Sequence, residues 1–235
     1  GGAFVPAPNA FADDDSAGDE EARVWVREFD KTSTWGVTNG LRALVSSAIH
    51  LGMLGYPWVL PDMVGGDAYN ASGTPADGGD FWHGSRPERE LYCRWCAANA
   101  LLPAVQFSIA PWEYDGAVAS ACRAMLELRA AHMPTLLRLA ADAARTREPI
   151  VRPIWWRDPH DAVALAIADE FLLGDALLVA PVLYRGATAR DVYLPRGRWR
   201  DARGGSVHAG PVWVRGYKAE LDELPLFKLD ESYPQ

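Results

Sequence analysis

Between residues 23 and 147 the chain switches three times from a short apolar run to a helical stretch, and this alternation limits its fold more than any other feature. RVWVREF at 23–29 alternates apolar and polar side chains and ends at Asp30, which is a strand pattern. Helical spacing follows over 33–51. LGYPWVLPDM is then wholly apolar up to Asp62 and bounded by Gly and Pro, as in a strand covered on both faces. Residues 88–102 are helical again and AVQFSIAP is a third short apolar run. An Ala/Leu/Arg helix occupies 115–147, with Pro134 as its candidate break. Strands that alternate with helices pair in parallel through crossover connections.

Beyond Glu148 the pattern changes. IVRPIWW, FLLGDALLVAPVLY, RDVYLP, RWRD, VWV and LPLFKL are short β-type runs separated by Gly, Pro and Asp, which predicts an antiparallel sandwich or sheet. The organisation is therefore an acidic flexible segment at 1–22, βα units at 23–147 and a β-module at 148–235. Three βα units cannot close a barrel of eight, which needs ~250 residues. Left open, such a sheet exposes unpaired edges. The chain, which lacks an initiator Met, thus reads as the end of something larger.

Composition removes several classes. Net charge is −8 and the pI is near 5.1, so a phosphate backbone is repelled and nucleic-acid binding is not expected. Six of those charges sit together at Asp13, Asp14, Asp15, Asp19, Glu20 and Glu21. Cys93 and Cys96 form a C-x-x-C, but within a helical run, where core thiols are expected rather than a redox or zinc motif. The five histidines show no metal-ligand spacing, and no phosphate-binding glycine loop or nucleophile elbow is present, so no metal or organic cofactor is implied. Residues 43–61 carry no charge, yet Gly52, Gly55 and Pro57 divide them, which fits a helix and a buried strand better than a membrane span. No signal peptide is visible, and the compartment is left open. The sequon Asn70-Ala71-Ser72 matters only in a secreted chain.

Working residues in parallel α/β folds gather at the C-terminal ends of strands. Asp30, Asp62 and the stretch from Ser108 to Trp112 occupy those ends. Each has a bland reading: Asp30 as an N-cap for the following helix, Asp62 with Gly65 and Gly66 as a turn, and Trp112 as packing. What survives is carboxylates with aromatics, the materials of glycoside chemistry.

FDKTSTWG, LGYPWVLPDMVGG, ERELYCRWCAANALLPAVQFSIAPW, PIVRPIWW, DEFLLGDALLVAPVL and RDVYLPRGRW, in that order, resemble glycoside hydrolase family 31. LPDMVGG and QFSIAPW resemble its myogenesis-regulating glycosidase branch most. The resemblance implies the last βα units of a (β/α)8 TIM barrel followed by an antiparallel β-sandwich, and a retaining α-glycosidase acting on a carbohydrate substrate. Asp30, with Ser33 and Trp35, matches the family's general acid/base pattern, and Asp62 matches the aspartate lining the sugar pocket. Trp35, Ser108 and Trp112 are the further candidate substrate contacts. Where the wider family has Trp-x-Gly-Asp, this chain has Arg27-Glu28-Phe29-Asp30. Where the family offers Arg-Asn-His, it has Gln106-Phe107-Ser108, which leans toward α-galactosides. The family's nucleophile lies upstream, in the missing N-terminal half of the barrel, so this chain alone is expected to be inactive. The competing expectation is a non-catalytic carbohydrate-binding or assembly subunit.

Overall fold

The computed structural model describes residues 24–67, 86–107 and 109–230. The acidic segment, the sequon and Ser108 lie outside them. The described part opens with a parallel pair, β1 (Trp25–Arg27) and β2 (Trp58–Leu60), in the register Trp25↔Trp58, Val26↔Val59 and Arg27↔Leu60. Between them runs α1 (Leu41–Met53), which buries Leu41, Leu44, Val45, Ala48, Ile49 and Gly52, a stripe at helical spacing.

The helix expected from residue 33 starts instead at Leu41. Residues 32–40 close on themselves: Thr32 N–H and its hydroxyl both donate to Asn39 O, at 2.8 and 2.6 Å, and Leu41 N–H donates to Thr34 O at 2.9 Å. Gly40 makes this possible, because a Cβ there would lie 2.5 Å from Thr34 O. Side-chain and turn bonds of this kind outcompete a helical start.

α2 (Arg89–Asn99) is buried from Leu91 to Asn99, and α3 (Gly116–Thr146) packs along it. Asp115 caps α3 by accepting from the Ala117 and Val118 amides at 3.0 Å. Pro134 lies inside α3 without ending it. The buried Arg129 of α3 donates to the carbonyls of Ala100, Leu102 and Pro103, which the end of α2 leaves unpaired.

AVQFSIAP does not join the ladder. Val64 N–H donates to Gln106 O at 3.0 Å and the Gln106 amide to Pro61 O at 2.8 Å, so the segment lies beside the end of β2 without rungs. Pro61, at the point of contact, has no N–H to offer.

The β-module is one six-stranded antiparallel sheet in the order β3-β4-β5-β8-β6-β7. Its strands are β3 (Val151–Pro153), β4 (Phe171–Leu173), β5 (Leu177–Val179), β6 (Ala189–Asp201), β7 (Val207–Lys218) and β8 (Leu226–Leu229). RDVYLP and RWRD, read as two runs, are one long strand with register shifts at Arg190/Val192 and Leu194/Gly197. IVRPIWW leaves the sheet at Pro153 and turns into a 3-10 helix. A short α4 (Ala162–Leu165) follows, which the sequence pattern did not announce. Alternate residues of β4 and β5 serve two cores. Phe171, Leu173, Leu177 and Val179 face the core shared with the helices, while Leu172 and Leu178 join Val192, Leu194, Trp199 and Phe227 in a second. Burial on both faces explains why these strands read as unbroken apolar runs.

Candidate active site

β1 and β2 run in parallel, so both deliver their C-terminal residues to one end. Their last rung is Glu28 N–H to Leu60 O at 2.9 Å, after which the two strands diverge and Asp30 and Asp62 follow. Arg27 joins them: one guanidinium nitrogen lies 2.6 Å from Asp30 Oδ1 and 3.1 Å from Asp62 Oδ1. The second oxygen of Asp62 accepts the Lys31 amide at 2.7 Å, and Asn99 donates to the Asp62 carbonyl at 3.0 Å.

The two carboxylates differ in environment. Asp62 has no exposed surface, and burial lifts its pKa from 3.8 to about 6, with the Lys31 and Met63 amides and the charges of Lys31 and Arg27 pulling the other way. The Asp30 side chain is 58% exposed and faces the open end. Beneath them Glu28 and Lys31 form a fully buried ion pair at 2.5 Å, and burial raises the Glu28 pKa against the pull of Lys31.

The N-cap reading of Asp30 does not hold, since α1 begins eleven residues later with Gly40 at its cap. The glycines after Asp62 serve the chain's own packing. Gly66 has φ +76°, and a Cβ there would meet Lys31 O at 2.7 Å; Gly65 has φ +95° and lies against the Tyr92 ring. Asp67 N–H also donates to Lys31 O, at 2.8 Å, so LPDMVGG wraps the backbone that carries Asp30.

The aromatic candidates are placed differently. Trp35 packs against the core and donates its indole N–H to Glu88 at 3.3 Å, while Glu88 also holds Arg185 at 2.8 Å. Trp112 sits in a 3-10 turn (Pro111–Glu113), 76% exposed. Gln106 spends both its backbone oxygen and its side-chain amide on the β2 end. Arg27, Lys31 and Asn99 escaped the sequence reading. Arg27 was visible only as an unusual residue three places before Asp30. Among the described residues no group of His, Cys, Asp and Glu could hold a metal ion, and no helix is long and apolar enough to cross a membrane.

Parallel βα units carrying an exposed and a buried carboxylate at their strand ends, followed by an antiparallel sheet, define the architecture of a glycosidase barrel with its C-terminal domain. Residues 22–139 match the glycosyl hydrolases family 31 TIM-barrel domain, and residues 147–231 match the glycosyl hydrolase family 31 C-terminal domain. The chain belongs to glycosyl hydrolase family 31. It is 46% identical over 204 residues to the myogenesis-regulating glycosidase of Mus musculus, covering 86% of this chain and 28% of that protein. It is 32% identical to the SITS-binding protein of Tetronarce californica, covering 89% and 29%. A GH31 α-xylosidase from a soil metagenome, solved with xylose, superposes with a TM-score of 0.71 at 26% identity, covering 89% of this chain and 32% of that one. The chain thus spans less than a third of each of these proteins.

Proposed function

We propose that this chain carries the acid/base half of a retaining α-glycosidase active site. Asp30 protonates the glycosidic oxygen as the bond breaks, then takes a proton from the water that releases the sugar. Its exposure supports the role, since a group that meets substrate and then water must face the open end. Asp62 contributes from below. It fixes Arg27 and the Lys31 amide, and it accepts a sugar hydroxyl once Arg27 swings off its Oδ1. Trp35, Ser108 and Trp112 are the further residues that bind substrate in this reading. The nucleophile, about 5 Å from the acid/base in a retaining enzyme, comes from barrel strands upstream of this chain, so residues 1–235 alone hydrolyse nothing. α-Galactosides, or failing them α-glucosides, are the substrates this reading favours, because Gln106-Phe107-Ser108 stands where the family commonly has Arg-Asn-His. The same reading divides the chain into an acidic segment at 1–22, barrel units at 23–147 and a C-terminal domain at 148–235.

The observation that carries the proposal is the Asp30–Arg27–Asp62 bridge at the ends of two parallel strands. The test joins this chain to a complete barrel and compares aryl α-galactosides with aryl α-glucosides. With Asp30→Asn, turnover of natural α-glycosides that collapses while azide partly restores turnover of the aryl substrates supports it; turnover indifferent to Asp30 removes it. One relative is named for binding SITS rather than for hydrolysis, which supports a non-catalytic role; the second reading is accordingly a carbohydrate-binding or assembly subunit. That reading predicts sugar binding without turnover in the complete barrel.

A further inference from the structure

In the connection between β5 and β6, four consecutive residues are held by α1 and by α2 with its N-cap residue. The Tyr184 hydroxyl accepts from Arg42 at 3.0 Å, and the same guanidinium lies 4.4 Å from the Tyr184 ring centroid. Arg185 donates to Glu88 at 2.8 Å, and the Gly186 N–H donates to Glu90 at 2.7 Å. The Ala187 carbonyl accepts from the buried Arg94 at 2.6 Å, which also donates to the Ala219 and Glu220 carbonyls. A helix that returns from a strand's C-terminal end begins at that end, which puts Arg42, in the first turn of α1, beside the end of β1. Glu88 is tied to the same end by its neighbour Pro87, which lies against Gly65, three residues past Asp62. The C-terminal domain thus reaches the carboxylate end of the barrel units through residues 184–187.

Glu88 carries this hold to the loop after Asp30. One of its oxygens takes Arg185 and the other takes the Trp35 indole N–H, at 3.3 Å. Trp35 lies in the closed segment 32–40, and Asn39, on the far side of that segment, donates its side-chain amide to the Asp30 carbonyl at 3.2 Å. We propose that Glu88 is a positioning residue that, with Arg185, fixes the Trp35 indole as a wall of the sugar site, so that the C-terminal domain sets substrate affinity. This rests on the reading that Trp35 binds substrate. The Glu88 and Arg185 side chains are 32% and 65% exposed, and an ion pair so placed adds little to stability. What the pair governs is where the Trp35 ring sits, not whether the domain folds.

The test is a double-mutant cycle in the complete barrel, read as KM and kcat per folded molecule, with the sugar's dissociation constant in place of KM if nothing is turned over. Glu88→Ala should raise KM roughly fivefold and leave kcat within about twofold, since a wall against the bound sugar acts alike in the ground and transition states. Arg185→Ala should move KM the same way by roughly twofold. Glu88→Gln keeps an oxygen for the indole N–H and should recover most of the affinity. Trp35→Phe keeps a ring but has no N–H to hold, so Glu88→Ala added to it should cost no further affinity. A Glu88 that only supports the fold would lower the melting temperature with KM unchanged, or add its full effect to Trp35→Phe; either result overturns the proposal. A KM that responds to Trp35→Phe but not to Glu88→Ala overturns it alone. A KM that responds to neither overturns it together with the assignment of Trp35 to the sugar.

Discussion

Asp30 stands 2.6 Å from the Arg27 guanidinium, on the same nitrogen that reaches the buried Asp62 at 3.1 Å. Arg27 therefore links an exposed carboxylate to a fixed one. Asp62 cannot move without disturbing the Lys31 amide and Asn99, so the exposed group takes its place from the buried one.

Asp30→Asn separates chemistry from stability. No helix cap is lost, and the pair with Arg27 is too exposed to contribute more than ~1 kcal/mol, so the melting temperature should barely change. In a complete barrel, turnover of natural α-glycosides should fall by the ~10²–10⁴-fold that a positioned general acid contributes. Azide should partly restore turnover of activated aryl substrates, since an anion needs no base to deprotonate it. Equal losses on both substrate classes, with no azide rescue, would count against Asp30 as acid/base.

Asp62 should make stability depend on pH. Burial raises its pKa from 3.8 to about 6, so the folded state holds the proton more tightly than the unfolded one. That contribution is fully present below pH 3.8 and is lost as pH rises through 6. At ~1.4 kcal/mol per pKa unit its full span is roughly 3 kcal/mol. Urea midpoints of wild type and Asp62→Asn, compared across this window, should diverge. Parallel curves would show that Asp62 does not titrate there.

Glu170 sets a second window in the β-module. It is fully buried, accepts from Arg190 at 2.8 Å and from the Tyr193 amide at 3.0 Å, and burial pushes its pKa from 4.5 to about 8. Its contribution is present below pH 4.5 and declines through pH 8. Glu170→Gln should flatten the decline on the alkaline side of the Asp62 window. The two substitutions can thus be told apart by where they act on the same urea curves.

Gly66→Ala should destabilise by about 2 kcal/mol, because φ is +76° and the new Cβ would press on Lys31 O at 2.7 Å. The strain falls on the backbone from Lys31 to Ser33, directly after Asp30. Denaturant midpoints measure the loss. In a complete barrel, activity per folded molecule should fall with it, whereas Gly55→Ala, with φ +93° but open space around it, should cost stability without activity.

Cys93, Cys96 and Cys122 are 2%, 1% and 1% exposed, and a hydrogen bond with Cys122 followed by burial holds the Cys93 thiol well above its ordinary range. Native thiols should react with a disulfide reagent about a hundredfold more slowly than in the unfolded chain. Rapid reaction of the native protein would revive the redox reading of the C-x-x-C.

Local pattern determined much of this protein by itself. Apolar runs flanked by Gly and Pro marked β2, β4 and β5, because strands buried on both faces must be apolar throughout, while an alternating run marked β1. The Ala/Leu/Arg composition from Asp115 onward marked α3, although Pro134, its candidate break, does not end it. The positions of Asp30 and Asp62 followed as well, since a strand's last residue is legible where its apolar run stops. Tertiary structure alone decided the rest. Whether residues 33–40 open a helix depended on bonds between Thr32, Thr34 and Asn39 and on the room left by Gly40. Whether 104–110 joins the ladder depended on meeting Pro61, which lies more than forty residues away along the chain. Which carboxylate is buried, and that Arg27 should hold both, depended on how two strands diverge beyond their last rung. Spacing along a chain encodes which face a residue takes within its own element; it does not encode which distant group will stand across from it.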